Sequence, residues 1–136
     1  MKKYSFIIVS SFLLIACGGD KNTTPATATE AGRTFIRASL DGDFKTAEPL
    51  LVDNDANHQL FDSYKISYNK LPSETKQHYK DASYEINKME ELNDSTSIIN
   101  YSNSYMHKPM EIKVVRIDKQ WKIDFAYTFS GNLPID

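Results

Sequence analysis

Apolar positions keep a helical spacing along this chain up to about Tyr79 and a two-residue alternation after it. Ala31, Phe35 and Ala38, with Ile36 and Leu40 beside them, fall on one side of a helix over Glu30–Leu40. Thr29 is placed to cap that helix. Asp41-Gly42 is placed to end it, because glycine enters the left-handed region without a Cβ penalty. Asp43 is set to cap a short second helix through Phe44, Ala47 and Leu51, whose regularity Pro49 limits. A third helix starts near Asp53–Asp55 and carries Leu60, Phe61, Tyr64, Tyr68 and Leu71 along one face down to Pro72. Ser73–Asp81 reads as a fourth.

From Tyr84 onward the period changes. Tyr84 and Ile86, then Ile99, Tyr101 and Tyr105, then Met110, Ile112 and Val114, recur at strand spacing. The clearest set is Trp121, Ile123, Phe125, Tyr127 and Phe129, alternating with Lys122, Asp124, Ala126 and Thr128, which predicts one strand with one buried face. Asn93-Asp94-Ser95 and Asp118-Lys119-Gln120 read as hairpin turns. Helices first and strands afterwards give an α+β fold, with N-terminal helices packed on a curved four-stranded antiparallel sheet. Residues 30–130 supply one such domain, residues 131–136 a C-terminal tail, and no internal repeat divides them.

The first seventeen residues do not belong to that pattern. Lys2 and Lys3 precede an apolar run, Phe6–Ile15, which is about half the roughly twenty residues a membrane-spanning helix needs and the right size for a signal peptide. Leu14-Ile15-Ala16-Cys17 then places a small residue directly before the only cysteine of the chain. This arrangement resembles the bacterial lipoprotein signal, cut before a cysteine that receives acyl chains. The resemblance implies a signal peptide over residues 1–16, a lipidated Cys17, and firm attachment, since two or more chains anchor where one binds only marginally. Gly18 stands where an aspartate commonly retains such proteins at the inner membrane, so the implied location is the outer membrane with the domain facing the periplasm. Gly18–Thr29 has no periodicity and no large apolar side chain, and so reads as a flexible tether with a typical span on the order of 20 Å and a ceiling near 40 Å.

Removing Lys2 and Lys3 from the 16 basic residues leaves 14 against 18 acidic ones, a balance of −4. The lysines are interleaved with acids and form no basic stripe, which argues against nucleic acid as a partner. With Cys17 acylated no thiol remains for a disulfide, a nucleophile or a thiolate metal site. His58, His78 and His107 are too far apart for the common zinc spacings, and Asp53-Asn54-Asp55-Ala56-Asn57 fails as a calcium loop because His58 stands where glycine is needed and Tyr64 where glutamate is. These residues predict no metal and no cofactor, and the acids read as helix caps.

One further resemblance covers about Glu30–Phe129. The tether, the helix running from Phe35 through Ala38-Ser39-Leu40-Asp41-Gly42-Asp43-Phe44, and Val115-Arg116-Ile117-Asp118-Lys119-Gln120-Trp121-Lys122-Ile123-Asp124 are similar to small bacterial lipoproteins with a nuclear transport factor 2-like, or cystatin-like, cone-shaped domain. That fold hosts enzymes and binding modules alike, so it implies architecture more than activity. It implies a pocket inside the cone lined by Phe35, Phe61, Tyr64, Tyr101, Tyr105, Trp121, Phe125 and Tyr127, and a non-enzymatic module for a small ligand or an envelope protein. A homodimer through an exposed sheet face is also consistent with it. The opposing expectation is an isomerase- or dehydratase-like enzyme using a pocket carboxylate, Asp124, beside Tyr101, Tyr105 or Tyr127. Parity opposes it, because Asp124 alternates with Ile123 and Phe125. The run Tyr101–Met110 can serve either as a pocket mouth or, as its alternation favours, as a strand, a turn and a strand that complete the core.

Overall fold

The computed structural model describes residues 24–129 of the 136. The signal segment 1–16, Cys17 and residues 131–136 lie outside the described residues. Helices α1 (Ala28–Asp41), α2 (Phe44–Ala47), α3 (Asp55–Lys70) and α4 (Ser73–Asp81) precede strands β1 (Tyr84–Asn93), β2 (Thr96–Asn103), β3 (Met110–Ile117) and β4 (Gln120–Asp124). A last helix, α5, spans Phe125–Phe129. The strands pair antiparallel in the order β1-β2-β3-β4, so the expected α+β architecture with a four-stranded antiparallel sheet is present.

Local chemistry sets the helix ends. Thr27, not Thr29, caps α1, its hydroxyl accepting from the Glu30 N–H. Pro25 and Ala28 are buried, so packed chain begins ahead of the expected tether boundary at Thr29. Gly42 closes α1 at φ 67°, and the ring of Tyr68 lies where a Cβ on Gly42 would project. Asp43 caps α2 as predicted, and Pro49 turns the chain into a 3-10 turn over Glu48–Leu50. Asn54, and neither neighbouring acid, caps α3.

The core lies between α1 and one sheet face. Ser97, Ile99, Tyr101 and Asn103 of β2, Met110, Ile112 and Val114 of β3, and Ile123 of β4 point toward the helices. Gly32 lets α1 approach this face closely, because a Cβ there would run into the side-chain tip of Ile99. Arg37 ties the same helix to the chain leaving α4, donating to Asp41 Oδ1 (2.7 Å), the Ala82 carbonyl (2.8 Å) and the Lys80 carbonyl (3.2 Å). Beyond β4, the Val52 N–H donates to the Ile123 carbonyl at 2.9 Å and blunts the sheet edge.

Two expectations need correction. The alternation from Trp121 to Phe129 predicts a single strand, but β4 stops at Asp124 and the chain coils into α5. Asn57, buried in α3, accepts from the N–H groups of Phe125 and Ala126, while the Thr128 hydroxyl donates back to the Asp124 carbonyl. These bonds satisfy the first N–H groups of a helix, so Phe125 and Thr128 share its inward side and Tyr127 does not. Early in β1 the parity set by Tyr84 and Ile86 is broken at a bulge, after which Met89 takes the inner position opposite Ile99.

Candidate functional site

The residues expected to line a pocket divide into an interior group and two peripheral ones. Phe35 from α1, Phe61 and Tyr64 from α3, and Phe125 from α5 are buried and meet ring to ring. Centroids stand 6.1 Å apart for Phe35–Phe125, 5.2 Å for Phe61–Phe125 and 5.8 Å for Tyr64–Phe125. Phe44 closes the cluster with edge-on contacts to Phe61, Tyr64 and Tyr68 at 5.8, 5.7 and 5.2 Å. These are contact distances for aromatic pairs, so the space between the rings is occupied by the rings themselves. Tyr101 enters from β2, buried, and burial pushes its hydroxyl well above the ordinary tyrosine value of 10.0. Tyr64 is raised in the same way, with a smaller contribution from Tyr101. Buried phenols held this firmly in the neutral form serve packing and proton donation, never a base.

Tyr105 and Trp121 stand elsewhere. Tyr105 is 39% exposed on the β2–β3 connection, stacked on His78 at 5.0 Å and edge-on to Tyr79. Trp121 is half-buried at the start of β4, with the Arg116 guanidinium 5.9 Å from its ring centre. Met106 packs on the core beside Tyr79, and Tyr101 and Met110 are buried, so the two ends of the Tyr101–Met110 run complete the core while Tyr105, expected with them, stays at the surface.

Tyr127 lies with Asp124 on the other side of the sheet. Its hydroxyl donates to Glu111 at 2.9 Å, and this bond, with some desolvation, raises its pKa. Lys113 reaches Asp124 Oδ2 at 3.5 Å and lies 5.8 Å over the Tyr127 ring. Asp124 is thus spent on holding α5 to the sheet and faces away from Tyr64 and Tyr101. The carboxylate and the buried phenols of the enzymatic expectation do not share a cavity.

The three histidines stay apart. His58 pairs with Asp53 at 2.9 Å, His78 stacks on Tyr105, and His107 sits at φ 54° in the β2–β3 connection. Among the described residues no group of three or more His, Cys, Asp or Glu side chains is placed to hold a metal. None of their helices is long and apolar enough to cross a membrane.

A surface groove emerges that the alternation did not single out. It opens on the outer sheet face, at the end where α4 hands over to β1 and β2 runs into its loop, and has a volume of about 680 Å³. Glu85, Asn87, Asn100, Ser102, Ser104 and His107 line it. Asn87 Nδ2 donates to Asn100 Oδ1 at 3.0 Å, and the Ser102 hydroxyl donates to Asn87 Oδ1 at 3.2 Å, giving a fixed row of amides and a hydroxyl. Beneath it Asn103 is 3% exposed, its Oδ1 accepting from the Tyr105 and Met106 N–H groups while its Nδ2 has no partner among the described residues. The only signal in the sequence was the polar set Thr96, Asn100 and Ser102 at even positions of β2, broken by Ile98, which by itself marks any solvated face. No protein-family model, curated protein or solved structure matches the chain.

Proposed function

We propose that this chain is a lipid-anchored bacterial envelope protein whose domain, a cone of the nuclear transport factor 2-like kind, is a non-enzymatic binding module for a protein partner. Cys17, acylated after removal of residues 1–16, is the proposed attachment point. The order of helices followed by a four-stranded antiparallel meander, with α1 across one face, supports the cone reading. The proposed membrane is the outer one, with the domain on its periplasmic side.

The observation that carries the binding reading is the ring cluster of Phe35, Phe61, Tyr64 and Phe125. An interior filled by its own aromatic side chains favours recognition at the surface over capture of a small molecule inside. The amide-lined groove at Asn87, Asn100 and Ser102 is the surface we assign to the partner. Side-chain amides and hydroxyls donate and accept in fixed directions, which suits the backbone of a peptide segment.

A photo-crosslinking residue in place of Asn100, expressed in the host, tests this. A discrete protein adduct at Asn100 that is absent when the same residue replaces Ser63 on the exposed side of α3 is the expected result. Crosslinks of equal pattern at both positions, or none at either, would count against the groove.

A further inference from the structure

The tether enters the domain at one end of the sheet, and that end carries two exposed apolar side chains, Leu92 and Ile117, while Ile66 on α3 and Tyr105 on the β2–β3 connection are exposed elsewhere. Ala26 and Thr27 lie beside the β1–β2 turn at Asn93 and Asp94 and beside Arg116 and Trp121 of the β3–β4 hairpin, around one shallow cavity of about 520 Å³. The Thr29 hydroxyl donates to Met89 Sδ at 3.1 Å, which fixes the start of α1 against β1. On the same rim Leu92 is 53% and Ile117 43% exposed, one at the close of β1 and the other at the close of β3. The amide-lined groove is at the opposite end.

We infer that this hairpin end, through Leu92, Ile117 and Trp121, rests on the bilayer that anchors the chain. The inference relies on the proposed acylation of Cys17. Cys17 and Pro25 are eight residues apart, which permits at most about 29 Å of extended chain between the acyl groups and the buried proline. The end of the domain nearest the lipid is therefore the one where Ala26 emerges. A short tether also makes the contact intramolecular, so that a few side chains suffice where a free domain would need a large surface.

The side chains fit the boundary between headgroups and acyl chains. Leu92 and Ile117 offer apolar tips, and tryptophan is favoured at that depth because its ring is apolar and its N–H is not. The charges nearby are mixed, with Arg116 and Lys119 against Glu91, Asp94 and Asp118, so attraction to anionic lipid is not the driving term. Contact of this kind leaves the amide-lined groove pointing away from the membrane, open to a partner.

Trp121 is the only tryptophan and Cys17 the only cysteine, which makes the test direct. The chain from Cys17 onward is coupled through that thiol to a maleimide phospholipid in phosphatidylethanolamine and phosphatidylglycerol vesicles, some with brominated acyl chains. Bromine should quench Trp121 fluorescence at least twofold, in about 1 M salt as well as in dilute buffer, because screening does not weaken apolar contact. The double variant Leu92→Ser and Ile117→Ser, altered only at exposed positions, should lose most of that quenching. Unquenched Trp121 on coupled vesicles overturns the inference, as does a variant quenched like the parent. Loss of quenching on dimerisation would instead place a second copy on this rim and overturn it equally. Because the lipid is attached chemically, these outcomes are independent of whether the host acylates Cys17, which the mass of the native protein decides.

Discussion

The side-chain oxygen of Asn57, deep in α3, accepts from the backbone N–H of Phe125 at the first position of α5. It also accepts from Ala126 at 3.1 Å, while Asn57 Nδ2 donates to Asn54 Oδ1 at 2.9 Å. One amide thus joins the cap of α3 to the start of α5 and ends the last strand. Asn57→Ala should lower stability by about 1–3 kcal/mol, because a buried and a part-buried N–H group lose this acceptor. Denaturant unfolding measures it; a loss of a few tenths would mean that α5 holds itself in place. Asn57→Asp keeps the acceptor but loses the donor to Asn54 and buries a charge, and should also destabilise.

Gly32 sits where α1 crosses β2 and β3. A Cβ there would meet Ile99 and, at 3.3 Å, Ile112, both of which are fully buried. Gly32→Val should cost about 1–3 kcal/mol from overpacking, offset only by the ~0.3 kcal/mol by which valine is the better helix former than glycine. A thermal midpoint equal to the parent's would show that the sheet face can yield at this point.

Arg37 is a second tie between distant segments. Its guanidinium reaches the Asp41 carboxylate and three main-chain carbonyls, those of Tyr79, Lys80 and Ala82, near the end of α4. The planar fork, and not the charge alone, makes those contacts, so Arg37→Lys should recover less than half of what Arg37→Ala loses. The expected loss for alanine is about 1–2 kcal/mol, discounted because the side chain is partly exposed. Full recovery by lysine would assign the tie to simple ion pairing.

Tyr64 and Tyr101 make stability fall in alkali. Both hydroxyls are raised above 10.0 in the folded state, chiefly by burial, whereas in the unfolded chain they ionise near that value. Their contribution is therefore complete below pH 10 and is lost as pH rises beyond it, by about 1.4 kcal/mol per group for each further pH unit. Unfolding curves on either side of pH 10 should show this slope, and Tyr101→Phe should reduce it by about 1.4 kcal/mol per pH unit, the share of one group. An unchanged slope in that variant would mean that other groups govern the alkaline limit.

Helix placement was legible because short-range chemistry decides it: Gly42, Asp43, Pro49 and Pro72 act through their own backbone or a neighbour's N–H. The central strands were legible too, since Ile99, Tyr101, Met110, Ile112 and Val114 alternate without interruption. What alternation hid depends on contacts remote in sequence. Phe125, Tyr127 and Phe129 fit a strand until Asn57, about seventy positions earlier, offers an acceptor that starts a helix. Trp121 was grouped with the core rings, although its place beside Arg116 follows from the β3–β4 register. Asn103 stands at an odd, inward position where a strand pattern expects an apolar residue; its role in holding the turn becomes visible only with the loop conformation.

Native mass spectrometry of the protein released gently from its host's envelope tests the central claim most directly. The account predicts a chain that begins at Cys17, carries covalent acyl mass there, and retains no small molecule within the domain. An N-terminus without acyl chains would contradict the anchored reading, and a reproducible non-covalent mass of small-molecule size would contradict an interior filled by its own aromatic rings.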